Sequence, residues 1–287
     1  MGCLVTCCKT AHFHGRFTDH IDKILRVIGN QPGIFFLDPF GIKGVHWSAI
    51  SKIVNRSAPT DIWIRFDHVE VRRLDGNYAI NEKKFDILPT VYGIRDESYL
   101  HSQLSIGTTA EDRIQDCTEL YRSRLEKEFI KAKRTGYAGA YRIGSLAGQE
   151  KYYLIFATAH TKGIVLASDI VYGVEETYQQ ELKEFREAQE REGKEAQQLF
   201  LFAADPTTEE IFQDKVTRLK EDIWIQCKGK QLSRIDIQVS VLGKWFGKIK
   251  GSHITKALSA LKDDKRILES NGKISDEKTL FKFRVSD

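Results

Sequence analysis

Ile34-Phe35-Phe36-Leu37-Asp38-Pro39-Phe40-Gly41 decides the fold. Four apolar residues in succession make a short strand without the alternation of a half-solvated one. Such a run is expected of a central parallel strand covered on both faces. Upstream, Ile21, Ile24, Leu25 and Ile28 recur at helical spacing, and Gly29-Asn30-Gln31-Pro32-Gly33 breaks that helix. Downstream, residues 47–54 read as the next helix and residues 61–66 as the next strand. Helix, strand, helix, strand in that order indicates α/β winding.

Further out, residues 75–135 read as an excursion from the sheet. It is mostly helical and polar, chiefly residues 110–133 with Leu120, Leu125 and Ile130. Tyr152-Tyr153-Leu154-Ile155-Phe156-Ala157-Thr158 returns as a buried strand, and residues 161–172 follow as a helix carrying Ile164, Val165 and Ile170. Residues 175–198 are rich in Glu, Lys, Arg and Gln and read as an exposed helix or a linker. The last eighty or so residues change rhythm. Phe212, Val216 and Leu219 share one side of a helix over 207–224. Ser252 stands where a cap is needed for a helix through Lys262, with Ile254, Ala257, Leu258 and Leu261 facing inward. Arg266-Ile267-Leu268, a turn at Asn271-Gly272, and Phe281 to Val285 make a hairpin. Helices followed by a two-stranded wing are the pattern of a winged helix-turn-helix. The expected division is an α/β domain over 1–174 with the helical insertion at 75–135, a charged helix or linker over 175–204, and a winged-helix-like domain over 205–287.

Composition is that of an ordinary globular chain of 287 residues, 41% apolar and 29% charged. No run approaches the roughly 18–20 apolar residues of a membrane span. The net charge of +4 is small, but residues 211–287 hold 17 Lys+Arg against 10 Asp+Glu, while the remainder holds 27 against 30. That skew reads equally as a solubilised basic surface or as a site for DNA or RNA. The cysteines, Cys3, Cys7, Cys8, Cys117 and Cys227, are odd in number and contain no pair of CxxC motifs. Neither they nor His12, His14 and His20 match a common zinc spacing, so no metal is expected, and a reducing cytoplasm fits best. Met1-Gly2-Cys3-Leu4-Val5-Thr6 matches a myristoylation pattern; the preferred reading is a late start within a longer gene, leading into a strand at Leu4-Val5-Thr6.

The chemistry-bearing candidate is Asp38-Pro39-Phe40-Gly41, because ligands of open α/β sheets collect at the carboxyl ends of strands. Proline holds the preceding residue extended, so Asp38 can project its carboxylate from the strand end. A carboxylate and a carbonyl there can accept hydrogen bonds from an exocyclic amine, while Phe40 stacks on a flipped base. This is the logic of the Asp-Pro-Pro-Tyr loop of amino-methyltransferases, matched here without its second proline. An ordinary strand-to-loop turn is the competing reading. His46 and Trp47 follow the turn and could line its pocket, or Trp47 could pack in the core. His160 ends a buried strand and could face the same crevice, or be a loop histidine. Lys244, Lys248, Lys250, His253, Lys256 and Lys262 surround the helix that a winged domain inserts into the major groove, although many such helices pack on protein instead. No Walker loop, zinc-protease motif or Ser/His/Asp arrangement is present.

Phe36-Leu37-Asp38-Pro39-Phe40-Gly41-Ile42-Lys43-Gly44 resembles the signature of the three-Cys-motif partner (TcmP) family. The stretch from Tyr152 to Gly163 resembles a second signature of that family, and Ile254 to Leu261 its terminal helix. Together they cover most of the chain from Gly15 onward. The resemblance implies a Rossmann-like methyltransferase fold, a prokaryotic or phage setting, and a partner with three cysteines that looks like a radical-SAM enzyme. It also implies S-adenosylmethionine as cofactor. Members of the family open with a strand and an Asp-x-Phe-Ala-Gly-Pro-Gly type loop, followed by an acidic residue for the ribose. This chain has neither, and Gly15-Arg16-Phe17-Thr18-Asp19 sits where the family has a later loop. The expectation is therefore a methyltransferase-like partner protein lacking its cofactor half, with a non-catalytic, nucleic-acid-binding partner as the alternative.

Overall fold

The strand at Gly33–Leu37 (β1) forms where four apolar residues predict it, and it runs parallel to Thr60–Phe66 (β2), with Leu37 opposite Ile64. It is not central. The sheet order is β1-β2-β4-β3, where β3 is Tyr137–Gly144 and β4 is Glu150–Thr158, so β1 lies at an edge. Phe35 and Leu37 are 6% exposed, whereas Ile34 is 75% and Phe36 64% exposed. The expectation of cover on both faces is corrected: one face of β1 is packed and the other is open. The computed structural model describes residues 11–39, 41, 45–75, 87–104, 109–145, 150–191 and 207–285. Phe40, Ile42, Lys43, Gly44 and the cysteines at 3, 7 and 8 lie outside them, as does the lipidation pattern.

The molecule is mixed α/β with two small sheets. In the first, only the β1–β2 pair is parallel; β2 pairs antiparallel with β4, and β4 antiparallel with β3. One face of it buries Phe35, Leu37, Ile62, Ile64, Phe66, Ile155 and Ala157. Against it pack Phe17–Ile28 (α1), Trp47–Val54 (α2), His68–Asp75 (α3), Ile87–Tyr92 (α4), Glu97–Leu104 (α5) and Ala110–Lys131 (α6). Of the apolar residues noted in this stretch, Leu125 is buried and Ile130 is 63% exposed. Cys117, Tyr121, Leu125 and Phe129 form the buried stripe, at a spacing of four. Within that stripe Tyr121 meets Trp47 edge-on and lies against Phe66.

The second face is covered by Thr161–Arg191 (α7), one unbroken helix of 31 residues. The expected helix at 161–172 and the charged segment after it are thus continuous through Arg191. Straight-chain Glu, Gln, Lys and Arg favour helix without burial, and pairs such as Gln179 to Glu175 (2.8 Å) bridge successive turns. Ile164, Ala167 and Val171 of α7 pack on Phe156 and Tyr141, leaving the β1 margin uncovered.

The C-terminal part contains Thr208–Cys227 (α8), Gln231–Ser233 (β5), Arg234–Trp245 (α9), Gly251–Asp263 (α10), Ile267–Ser270 (β6) and Leu280–Phe283 (β7). Thr207 caps α8 by accepting the Glu210 N–H, and Glu210 returns a bond to the Thr207 N–H (2.7 Å). Ser233 caps α9 by accepting the Asp236 N–H at 3.2 Å, without the return bond to its own N–H. Ser252 does not cap α10: the helix already begins at Gly251, and His253 Nδ1 accepts the Lys250 N–H. The expected two-stranded hairpin is a three-stranded sheet, β5-β7-β6, because Gln231 to Ser233 also pair with β7. Val216, Leu219, Ile254, Ala257, Leu258 and Leu261 are buried with Phe281 and Phe283, as their spacing predicts.

Candidate functional site

The parallel register fixes what stands at the carboxyl ends of β1 and β2. Leu37 lies opposite Ile64, so the next residues, Asp38 and Arg65, meet: Asp38 Oδ1 is 3.1 Å from Arg65 Nη1. Both side chains are about half exposed, which limits such a pair to roughly 0.5 kcal/mol. The Arg65 guanidinium also lies over the Tyr152 ring, 4.7 Å from its centroid. Antiparallel β4 starts at this end, and so brings Tyr152 and Tyr153 to the crevice.

Asp67 follows β2 and caps α3, its Oδ1 accepting the Glu70 N–H at 3.0 Å. Helix α3 then directs Glu70 toward the turn after β1. Gly41 has φ +66, and a Cβ there would stand 2.3 Å from Glu70 Oε2. The left-handed conformation calls for glycine, and the close approach places the Glu70 carboxylate against the turn. Asp38, Asp67, Glu70 and Arg65 therefore converge on one end of the sheet, with Arg73 3.4 Å from Glu70. Pro39, Val45, Ile64, Phe66, Val91 and Tyr121 line a small hole beneath them, of about 10 Å³. His68 is fully buried behind it, edge-on to Tyr153. Asp38, Pro39 and Gly41 thus stand where the sequence puts them; Phe40 is outside the described residues. Sequence reasoning missed Arg65, Asp67, Glu70 and Tyr152, which become neighbours of Asp38 only through strand register.

The other pocket candidates divide. His46 is exposed at the start of α2. Trp47 is 6% exposed and belongs to the core: its Nε1 donates to Glu128 Oε2 at 3.3 Å, Arg124 covers one ring face, and Tyr121 meets it edge-on. His160 does not join the Asp38 crevice. Because β4 runs antiparallel, Thr158 pairs with Asp61, and His160 follows it at the opposite end of the sheet.

Around α10 the expected basic set also divides. Lys248, Lys250, Lys256 and Lys262 are exposed. Lys250 Nζ is 3.3 Å from Glu176, and Lys262 Nζ donates to Ser270. Lys244 pairs with Asp222 at 2.8 Å. His253 is 1% exposed and is not a nucleic-acid contact. Its ring lies between Phe212 and Tyr172, and burial, with Lys215 beside it, lowers its pKa to about 4. Cys117 and Cys227 are buried, and burial pushes the Cys227 thiol up. Among the described residues no group of three His, Cys, Asp or Glu could hold a metal, and no helix is long and apolar enough to cross a membrane. No family model, curated protein or solved structure matches the chain.

Proposed function

We propose that this chain is a methyltransferase-like partner protein of the three-Cys-motif type, incomplete as an enzyme and associated with nucleic acid. The observation that carries this reading is the open face of β1. Ile34 and Phe36 are exposed on an edge strand, Gly33–Leu37, that has no charge, no proline and no bulge. Isolated proteins usually blunt such an edge. Beside it, Phe36, Trp63, Leu154, Ile170 and Val174 line an apolar groove of about 250 Å³. A Rossmann-like sheet that continued past β1 would cover both features. As the partner docking at this edge, the resemblance offers the three-cysteine, radical-SAM-like protein. The basic skew of the C-terminal part, read as a winged helix, supports the nucleic-acid association.

S-adenosylmethionine does not fit the described residues at the strand ends. The hole beneath Pro39 has room for about one water, against the roughly 300 Å³ or more of a typical ligand pocket. No glycine-rich turn precedes β1. Asp38, Arg65, Asp67 and Glu70 are instead the substrate side of a site, able to accept and donate hydrogen bonds to a polar base edge. Calorimetric titration with S-adenosylmethionine is expected to give no heat for this chain alone; saturable heat would overturn the incomplete reading. On co-expression with a three-cysteine protein of the resembled family, Phe36→Asp is expected to abolish co-purification. Retention of the partner by that variant would remove β1 as the joining edge.

A further inference from the structure

We propose that the nucleic-acid backbone is held not by α10 but at one end of the three-stranded sheet, by Lys228, Lys230, Lys265, Lys282 and Arg284. This deepens the nucleic-acid part of the function proposed above and rests on it. Three separate turns converge there: the one after α8, the one after α10, and the end of β7. Backbone hydrogen bonds lock them together. Gly229 N–H donates to Arg284 O (2.8 Å), Phe283 N–H to Lys230 O (2.9 Å), and Arg284 N–H to Arg266 O (2.9 Å). Gly229 and Lys265 both adopt left-handed conformations, φ 73 and φ 58, that turn the chain sharply at the two helix ends. The cations are therefore mounted on a fixed frame.

All five side chains are exposed. Lys282 and Arg284 are two apart at the end of a strand, and Lys282 lies on its outer face, away from buried Phe281 and Phe283. Of the twelve other cations in residues 211–287, six are paired with a carboxylate or buried within the protein. Arg218 pairs with Asp214, Lys220 with Asp264, Lys244 with Asp222, Lys250 with Glu176 and Arg266 with Glu221. Arg234 is buried and donates to Gly251 O. By contrast, Lys228, Lys265 and Arg284 have no carboxylate within ion-pair distance among the described residues, and Lys282 reaches Glu269 only at 3.9 Å. Lys230 donates to the Gln226 carbonyl, which leaves its charge uncompensated.

Exposed cations mounted on one fixed frame, four of the five without a carboxylate partner among the described residues, suit the repeating charge of a phosphodiester backbone. On α10, by comparison, the exposed residues are Ser252, Lys256, Lys262 and Asp263, two cations and one anion, and Lys262 Nζ is engaged with Ser270. A sheet-end cluster contacts backbone rather than base edges, so it confers affinity with little sequence preference.

The test uses the full chain and fluorescence anisotropy with two labelled 20-base-pair duplexes of one mixed sequence, DNA and RNA. The separate arms report which phosphodiester source is preferred. The Lys228→Gln/Lys282→Gln/Arg284→Gln variant is expected to raise Kd at least tenfold at 100 mM salt. It should also make the log–log salt slope shallower by about two to three, since each lost phosphate contact removes about 0.9. Lys256→Gln/Lys262→Gln is expected to stay within about twofold, and circular dichroism melts check that both variants fold. If the α10 variant loses binding while the sheet-end variant keeps it, this placement is overturned and the nucleic-acid reading stands. If the unaltered chain binds neither duplex at 50 mM salt, that reading falls as well. Sheet-end-dependent binding of polyglutamate but of neither duplex would overturn the proposal in favour of an acidic protein.

Discussion

Phe246 lies flat against Gly139: a Cβ on Gly139 would stand 2.2 Å from the Phe246 ring. The same ring stacks on Phe156, with centroids 6.3 Å apart and planes 10° from parallel. Phe246 follows α9 and Gly139 is in β3, so this one approach joins the C-terminal helices to the first sheet. Gly247 N–H to Ser168 Oγ at 3.0 Å fixes the same junction from the α7 side. Gly139→Ala is therefore expected to destabilise the protein by about 2 kcal/mol through overpacking. In a Phe246→Ala background the same change should cost well under half of that, because the ring it strikes is gone. Urea denaturation of the four proteins in the cycle measures both values; an additive cycle would refute the packing account.

The alternation in β1 makes a second expectation. Phe35 and Phe36 are chemically identical neighbours, 6% and 64% exposed. Phe35→Ala is expected to cost roughly 3–4 kcal/mol, the price of a cavity plus lost transfer energy. Phe36→Ala should stay within about 0.5 kcal/mol, as at other surface positions. Equal losses in chemical denaturation would mean that the outer face is covered in solution.

Glu128 is buried under Trp47 and Ser51, and its charge has a direction in pH. Burial tends to raise its pKa, but the Ser51 hydroxyl, Lys131 and the Trp47 indole outweigh burial and hold the carboxyl below the usual glutamate range. The fold thus favours the ionised form. Its stabilisation is complete above the unfolded value of about 4.3 and is lost as pH falls through the lower folded value. Glu128→Gln is expected to be less stable than the unaltered protein at pH 7, by about 1–2 kcal/mol. The gap should narrow toward pH 3 in parallel denaturant titrations.

His253 supplies a second pH window with its own sign. Its folded pKa, lowered to about 4, lies under the ordinary 6.5, so the unfolded chain binds the extra proton first. Stability should be complete above pH 6.5 and decline as the pH falls toward 4, by on the order of 2 kcal/mol. His253→Gln should flatten that part of the stability curve. A curve of unchanged slope would show that the imidazole is already accessible to protons.

Much of this was readable from residue order, and the failures share a cause. Ile34 to Leu37 made a strand legible, yet an unbroken apolar run looks the same whether its second face is buried or bare. Ile254, Ala257, Leu258 and Leu261 were legible as an inward stripe because helical spacing is local, and all four are fully buried. Asp38 was found as a strand-end carboxylate, but its partner Arg65 was not, since their meeting depends on which residue of β2 lies opposite Leu37. His160 was misplaced for the same reason: a buried strand does not disclose its direction. Tyr137 to Gly144 was not singled out as a strand, because two glycines and an arginine dilute its apolar signal. The spatial grouping of Lys228, Lys265 and Arg284 needs three separated turns to meet, which no local pattern encodes.

The antiparallel pairing of β2 with β4 also has a consequence during synthesis. Asp61 cannot find Thr158 until nearly a hundred further residues have been made and have left the ribosome. At about 5–20 residues per second, that leaves β1 and β2 as an unfinished pair for roughly 5–20 s. During this interval both edges of the pair are bare, that of β1 and that of β2, which β4 later covers. Nascent chains are thus most exposed to misassembly before residue 158 emerges, and chaperone dependence should fall sharply once it does.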